Sequence, residues 1–289
     1  ISGYMFHHVY YPKYNFKRFI GSKFGSVFVP YTLISTPFVL SLLQQKAGVL
    51  QKSEIVSYYL GGYLEYMISG SFMMAYWFIP FIMFLFLMAP LHYRFITLSK
   101  KTQTAILLVL FIVASFVHRS DGGLNRAQSI VFFTPLYLFG IYCSVHRAAF
   151  MQFTRGKEVY FILLALAITA VQVSTGQVGN YRKPFFEYQG VDLMLIQKIL
   201  LTVAILAGLE RMKLPEKNFL VTISNRSFAI FFLHGFVIFY FDAFRIFPLT
   251  GVPLADYFLV LTVNIALCVA VASTLRKVFE SKSRYIVGY

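Results

Sequence analysis

The chain has 289 residues, of which 58% are hydrophobic, 19% aromatic and only 13% charged, with a mean hydropathy of +0.68. A soluble domain carries about 25% charged residues, so this composition leaves too little polar surface for a water-soluble globule and specifies a polytopic membrane protein. A net charge of +15 would suit a nucleic-acid binder, but no soluble module is present to display a basic face; cations held at the inner ends of membrane helices account for it instead.

A membrane-spanning helix needs roughly 17–25 mostly apolar residues. In chain order the candidates are a remnant over 1–9, then 24–43, 70–91, 104–118, 127–145, 157–173, 191–209, 223–241 and 254–275. The expected fold class is therefore all-α: a transmembrane helix bundle, one domain over 1–289, with nine visible spans of which the first is truncated. The numbering opens inside an apolar segment with neither an initiator Met nor a signal-peptide pattern, so residues ahead of Ile1 are expected.

Between the remnant and the next span lies Lys13–Tyr31, KYNFKRFIGSKFGSVFVPY, with the cations Lys13, Lys17, Arg18 and Lys23 and no carboxylate. A basic turn between apolar segments is retained on the cytoplasmic side and forms a local site for an anionic ligand. Counting Lys and Arg in alternate connections extends this reading along the chain. The turns at 13–23, 94–101, 147–157, 211–217 and 276–284 hold 17 of the 26 cations, and the opposite set holds 7. The richer set is placed inside, with the C-terminus. The outer face then carries the longer connections, 44–69 and 174–190, rich in Gly, Tyr and amide side chains; Ile55–Met67 reads as a helix lying in the interface. Cys143 and Cys268 sit inside apolar runs, where neither a disulfide nor a metal site is expected. No internal repeat is visible, which argues against the commonest transporter architectures.

Polar groups inside spans are expensive and are functional suspects. His234 lies in the middle of Ile223–Phe241, where it is either a general base or a neutral ring bonded to a neighbouring helix. Arg226 opens the same segment, with Ser224 or Asn225 as its cap, and either snorkels to the interface or holds a phosphate. Trp77, the single tryptophan, is either membrane packing or a wall of a substrate cavity. Lys198 is expected to pair with a polar group, with Asp192 on a different face of that helix. His7 and His8 are assigned to the interface, and His118, Arg119 and Asp121 form a polar cluster at an outer helix end. No Walker loop, nucleophile elbow, H-E-x-x-H or dinucleotide fingerprint is present.

Four pieces of the chain resemble, in order, motifs of the bacterial membrane acyltransferase family 3. Ile1-Ser2-Gly3-Tyr4 is similar to its second-helix signature, and Phe19–Tyr31 to its basic linker ending in Pro-Tyr. Ala75-Tyr76-Trp77-Phe78, followed by Ala89-Pro90-Leu91, resembles its fourth helix. Ser224–His234, SNRSFAIFFLH, resembles its penultimate one. The resemblance implies a ten-helix core lacking its first helix here. The family's paired Arg and His on that first helix therefore match no position of this sequence, and the catalytic base is not fixed by the likeness. Gly25-Ser26 also stands where family members often carry two cations.

What the resemblance implies is O-acylation of a cell-surface or lipid-linked glycan, with acyl-CoA, acetyl-CoA foremost, as donor substrate. No bound cofactor or metal is expected. The partners are then acyl-CoA, the glycan acceptor and membrane lipid, in the bacterial inner membrane. Lys17, Arg18, Lys23 and Arg226 would contact the donor's phosphates, with Ser2 and Gly3 permitting close helix approach and Trp77 lining the cavity. His234 would deprotonate the acceptor hydroxyl or carry the acyl group itself; the His118, Arg119 and Asp121 cluster is either a solvated turn or a contact for the acceptor sugar. The alternative reading, a transporter or flippase of a glycan or lipid-linked sugar, shares the helices, the basic inner face and the interior His. Slow acyl-CoA hydrolysis without acceptor would separate the two, and a non-catalytic scaffold would show neither activity.

Overall fold

The computed structural model describes residues 1–47, 52–120, 125–177, 181–212, 219–244 and 252–288. Asp121, the loop cations Lys213, Lys217 and Arg245, and residues 48–51 and 178–180 of the connections over 44–69 and 174–190 lie outside the described residues.

The elements follow the apolar runs. In chain order they are α1 (Ser2–Met5), α2 (Phe16–Lys23), α3 (Val29–Lys46), α4 (Lys52–Ser69), α5 (Phe78–Leu87), α6 (Ala89–Thr97), α7 (Lys100–Val117) and α8 (Arg126–Val145). Then come α9 (Arg147–Thr154), α10 (Glu158–Ser174), α11 (Leu193–Arg211), α12 (Phe219–Asn225), α13 (Ser227–Ala243), α14 (Pro253–Phe279) and α15 (Ser283–Val287). Their starts carry local signals. Ser99, Asn125 and Asp192 accept backbone N–H groups of α7, α8 and α11 at 3.2, 3.1 and 2.9 Å. Pro30, Pro90 and Pro253 sit in the first turns of α3, α6 and α14, where their missing N–H is no loss.

Among the described residues five helices are long and apolar enough to cross a membrane, and up to eight spans result if each bent pair counts as one. Their outward residues are apolar: Leu108, Val109 and Ile112 of α7 are 59%, 60% and 58% exposed. Such a surface suits lipid, where the helix satisfies its own backbone groups. The chain is thus an all-α, multi-pass membrane protein, and the expected spans at 104–118, 127–145, 157–173 and 191–209 fall on α7, α8, α10 and α11.

Three spans are less regular than the apolar runs imply. The segment expected to be helical from Gly70 does not become so until Phe78. Gly70 and Ala75 take φ of +66° and +73°, so 70–77 turns instead, and the chain bends by 56° between α5 and α6, just before Pro90. The 147–174 segment bends by 74° between α9 and α10, where Gly156 has φ +74°. The span expected at 223–241 is cut at Arg226, where α12 and α13 meet at 79°. Ser224 and Asn225 end α12 rather than capping α13, whose N-cap is Arg226 without a side-chain cap. Among the described residues one small departure from all-helix occurs: β1 (Arg119–Ser120) pairs in parallel with β2 (Arg182–Lys183).

The chain forms two compact units. One comprises Ile1–Phe19 with Leu87–Lys213, and the other Ile20–Phe86 with Leu214–Tyr289. In the first, α8 packs between α1 and α7, and α10 lies along α11. Its core includes Ala114, Phe132 and Leu195. In the second, α3 packs with α4 and α15 while α13 packs with α14, around Ala229, Ala272 and Val287. Two fully buried tyrosines tie this unit together: Tyr31 Oη donates to Met67 O at 2.7 Å and Tyr76 Oη to Phe232 O at 2.6 Å.

Candidate functional site

In the first unit the chain turns back through a short 3-10 stretch, Tyr11–Lys13, and Asn15 starts α2 by accepting the Arg18 N–H at 3.0 Å. Aromatic rings fix this turn. Phe19, 5% exposed, packs edge-on against Phe6 and Tyr10 at 5.4 and 5.2 Å between centroids, and Tyr14 stacks on Tyr93 at 5.1 Å. The turn's cations are left on the outside: Lys13, Lys17 and Arg18 are exposed, and none has a carboxylate partner among the described residues. The two ion pairs there, Arg147–Glu210 and Arg211–Glu158, lie elsewhere in this unit. Unpaired cations on a rigid support are a ready anion site. The runs on either side of α2, Phe6–Tyr10 and Phe24–Phe28, are π-helical, an irregularity frequent at functional sites.

Gly3 lies where α1 crosses α8. A Cβ there would sit 1.8 Å from Tyr137 O, and one on Gly140 would sit 2.8 Å from Tyr4 N, so the two glycines let the backbones touch. Ser2 beside it is exposed. The crossing aligns a polar row: Tyr4 Oη donates to Glu210 Oε1 at 2.7 Å, Arg147 grips the same carboxylate, and His7 Nδ1 lies 2.8 Å from Ser144 Oγ.

Sequence reasoning missed His92. It is 2% exposed, its ring lies 4.7 Å from that of Tyr137 and 5.8 Å from that of Phe6, and neither ring nitrogen has a partner among the described residues. The hydroxyls of Tyr137 and Tyr14 are buried and unpartnered too. Orphaned buried polar atoms are rare, and each calls for an explanation. The sequence carries only its interruption of an apolar run, as at His234, and not the absence of partners that sets it apart.

The second unit holds the other expected residues. Lys23, the last residue of α2, is half-buried with Nζ 5.2 Å from the centre of the Phe86 ring. Arg284 donates to Ser22 Oγ at 3.3 Å, beside a cavity of about 690 Å³ lined in part by Arg276, Arg284 and Tyr285. Arg226 is engaged by its own surroundings, donating from Nε to Ser273 Oγ at 3.1 Å and from Nη1 to Thr222 O at 3.2 Å. His234 Nδ1 faces the carbonyls of Ile230 and Phe231 at 3.1 and 2.8 Å. Carbonyls only accept, so in the neutral ring Nδ1 carries the proton and Nε2 keeps the lone pair. Trp77 joins the same aromatic group through Phe78, which meets Phe231, and Phe231 meets His234. His234 and Trp77 thus share a cluster, whereas Arg226 sits about 12 Å further along the helix axis from His234.

A family model described as an acyltransferase domain, that of acyltransferase family 3, matches residues 1–273. No curated protein and no solved structure matches the chain.

Proposed function

The chain belongs to acyltransferase family 3, and on that premise we propose that it moves an acyl group, acetyl in the first instance, from cytoplasmic acyl-CoA to a hydroxyl of a cell-surface or lipid-linked glycan. It does so from the bacterial inner membrane, as a ten-helix core with its C-terminus in the cytoplasm, using no resident cofactor or metal. The observation that carries this reading is the aromatic-clamped basic turn, whose Lys13, Lys17 and Arg18 have no carboxylate of their own among the described residues. A donor bearing several phosphates supplies the missing charge. Lys23 and Arg226 are further donor contacts.

In the chemical step we assign to His234, Nε2 takes the proton of the acceptor hydroxyl as its oxygen attacks the thioester carbonyl. The C–S bond then breaks, the coenzyme leaves as thiolate, and the imidazolium returns the proton to it. Trp77 packs in the aromatic wall around this ring, and Ser2 and Gly3 belong to the helix crossing that keeps the first unit closed.

Substituting both Lys17 and Arg18 with Gln removes two charge-assisted phosphate contacts. At exposed positions each is worth about 1 kcal/mol, so the KM for acyl-CoA should rise roughly 30-fold with kcat little changed, and the wild-type KM should itself climb with salt. Unchanged donor kinetics would remove the assignment. The sidedness is tested at Gly21, which is exposed with nothing within 4 Å of its Cβ position. Because Cys143 and Cys268 are both buried, a Gly21→Cys variant gives a clean signal. It should react with an impermeant maleimide only after cells are opened, and acyl-CoA should then protect it. Labelling from outside intact cells would place the turn on the wrong face.

A further inference from the structure

After α14 the chain folds back, and the reversal is built into the second unit. Glu280 takes φ +48°, a backbone state that L-residues rarely adopt and that persists only where the surroundings hold it. A 3-10 turn, Glu280–Lys282, follows, and α15 then lies on α3 and on the π-helical run Phe24–Phe28. Val287, 1% exposed, packs with Ala229 and Ala272, and the buried Ser283 donates from Oγ to Glu280 O at 2.7 Å. The fold-back lies beyond residues 1–273, the stretch that the acyltransferase family model matches.

The fold-back gathers positive charge. Residues 276–285 carry four cations, Arg276, Lys277, Lys282 and Arg284, against one carboxylate, Glu280. The cavity of about 690 Å³ opens among them, lined by Arg276, Glu280, Ser281, Ser283, Arg284 and Tyr285. Arg284 is steered by its bond to Ser22 Oγ, which uses one of the five donors on its fork. Two guanidiniums against one carboxylate leave the lining at +1, the charge that one phosphate diester neutralises.

Apolar surface adjoins this polar pocket. The Tyr285 ring lies 3.1 Å from the Cβ position of Gly25, whose neighbour Phe24 stacks on Phe28 at 4.7 Å between centroids. Phe24, Phe28, Phe279 and Tyr285 are all exposed. The cavity also stands where α14, an apolar helix of membrane-spanning length, gives way to basic residues. At such a helix end the neighbouring chemistry is a phosphate headgroup with acyl chains below it. A soluble phosphate meets only the guanidiniums, whereas a phospholipid meets the guanidiniums and the rings together.

We propose that this cavity binds the headgroup of an anionic phospholipid, with the phosphate on Arg276 and Arg284 and the acyl chains on Phe24 and Phe28. The inference does not rest on acyl transfer: a chain that turned over no acyl-CoA would still retain the lipid. Native mass spectrometry of the purified full chain, with dioleoyl phosphatidylglycerol or dioleoyl phosphatidylcholine added, tests it. One phosphatidylglycerol should stay bound at concentrations where phosphatidylcholine does not, and the melting temperature should rise with it. The double variant Arg276→Gln/Arg284→Gln changes two exposed side chains and should weaken retention roughly ten-fold or more. Lys100→Gln/Lys101→Gln removes as much charge from exposed positions of the first unit and should retain the lipid like wild type. Equal retention of the two lipids, or equal loss in the two double variants, would reduce the effect to general surface attraction and overturn the proposal. Wild-type retention by the arginine variant would do the same. Displacement of the lipid by coenzyme A or by inorganic phosphate at matching concentration would also overturn it, since the pocket would then take a soluble phosphate.

Discussion

Removing the His234 imidazole should lower kcat for acyl transfer by about 10²–10⁴-fold, the range of a positioned general base, equivalent to roughly 3–5 kcal/mol of barrier. The difficulty is that this ring also has a structural task, because Nδ1 donates to Ile230 O and Phe231 O of its own helix. A variant that loses both functions says little about either, so two substitutions are needed. His234→Ala removes the donor and the base together. His234→Asn keeps an N–H close to the Nδ1 position, able to reach the same carbonyls, but has nothing in place of Nε2. If the ring is chemical, both variants are inactive while the Asn protein melts close to wild type. Restored turnover in His234→Asn would make the residue a helix-stabilising group, and attention would pass to His92, whose two nitrogens are unpartnered among the described residues.

The contrast between these two histidines shows what was legible in the sequence. Hydropathy reports that a segment prefers lipid or core, and it located α7, α8, α10 and α11 to within a few residues because each is a single unbroken apolar run. It does not report direction within a run. Pro90 follows the bend at Met88, Gly156 with φ +74° stands at the second, and Arg226, which donates to Ser273 Oγ, stands at the third; only Pro90 and Gly156 announce themselves locally. Arg226 looks like an ordinary helix start until Ser273, 47 residues later, is seen to bind it. The basic turn was readable because its cations cluster between residues 13 and 23 with no carboxylate among them, and charge needs no partner to be recognised. His92 was not, since its significance is an absence of partners that emerges only when Phe6 and Tyr137 close around it. The fastening of the segment after residue 180 was invisible for the same reason: Gln128 is an unremarked polar residue until it meets Lys183, 55 positions away.

The second large effect is expected at Gly3, where chemistry plays no part. A methyl group there would stand 1.8 Å from Tyr137 O and 2.8 Å from Tyr137 C, and both are backbone atoms of α8 that no rotamer change can move aside. The helices must separate, and overpacking of this kind costs about 3 kcal/mol or more when the obstacle cannot yield. Gly3→Ala should therefore lose most of its folded yield, and Gly140→Ala should behave alike, since its Cβ would meet Tyr4 N at 2.8 Å. Gly61→Ala is the control. It lies inside α4 with nothing within 4 Å of its Cβ position, so the substitution should be neutral or gain roughly 0.5–1 kcal/mol from the better helix former. If Gly3→Ala melts like wild type, α1 does not cross α8 at this distance. The alignment of Tyr4 with Glu210, and of His7 with Ser144, would then lose its support. A variant that folds but separates these helices should still bind the donor through Lys17 and Arg18, because the aromatic clamp on Phe19 is a separate set of contacts from the glycine crossing.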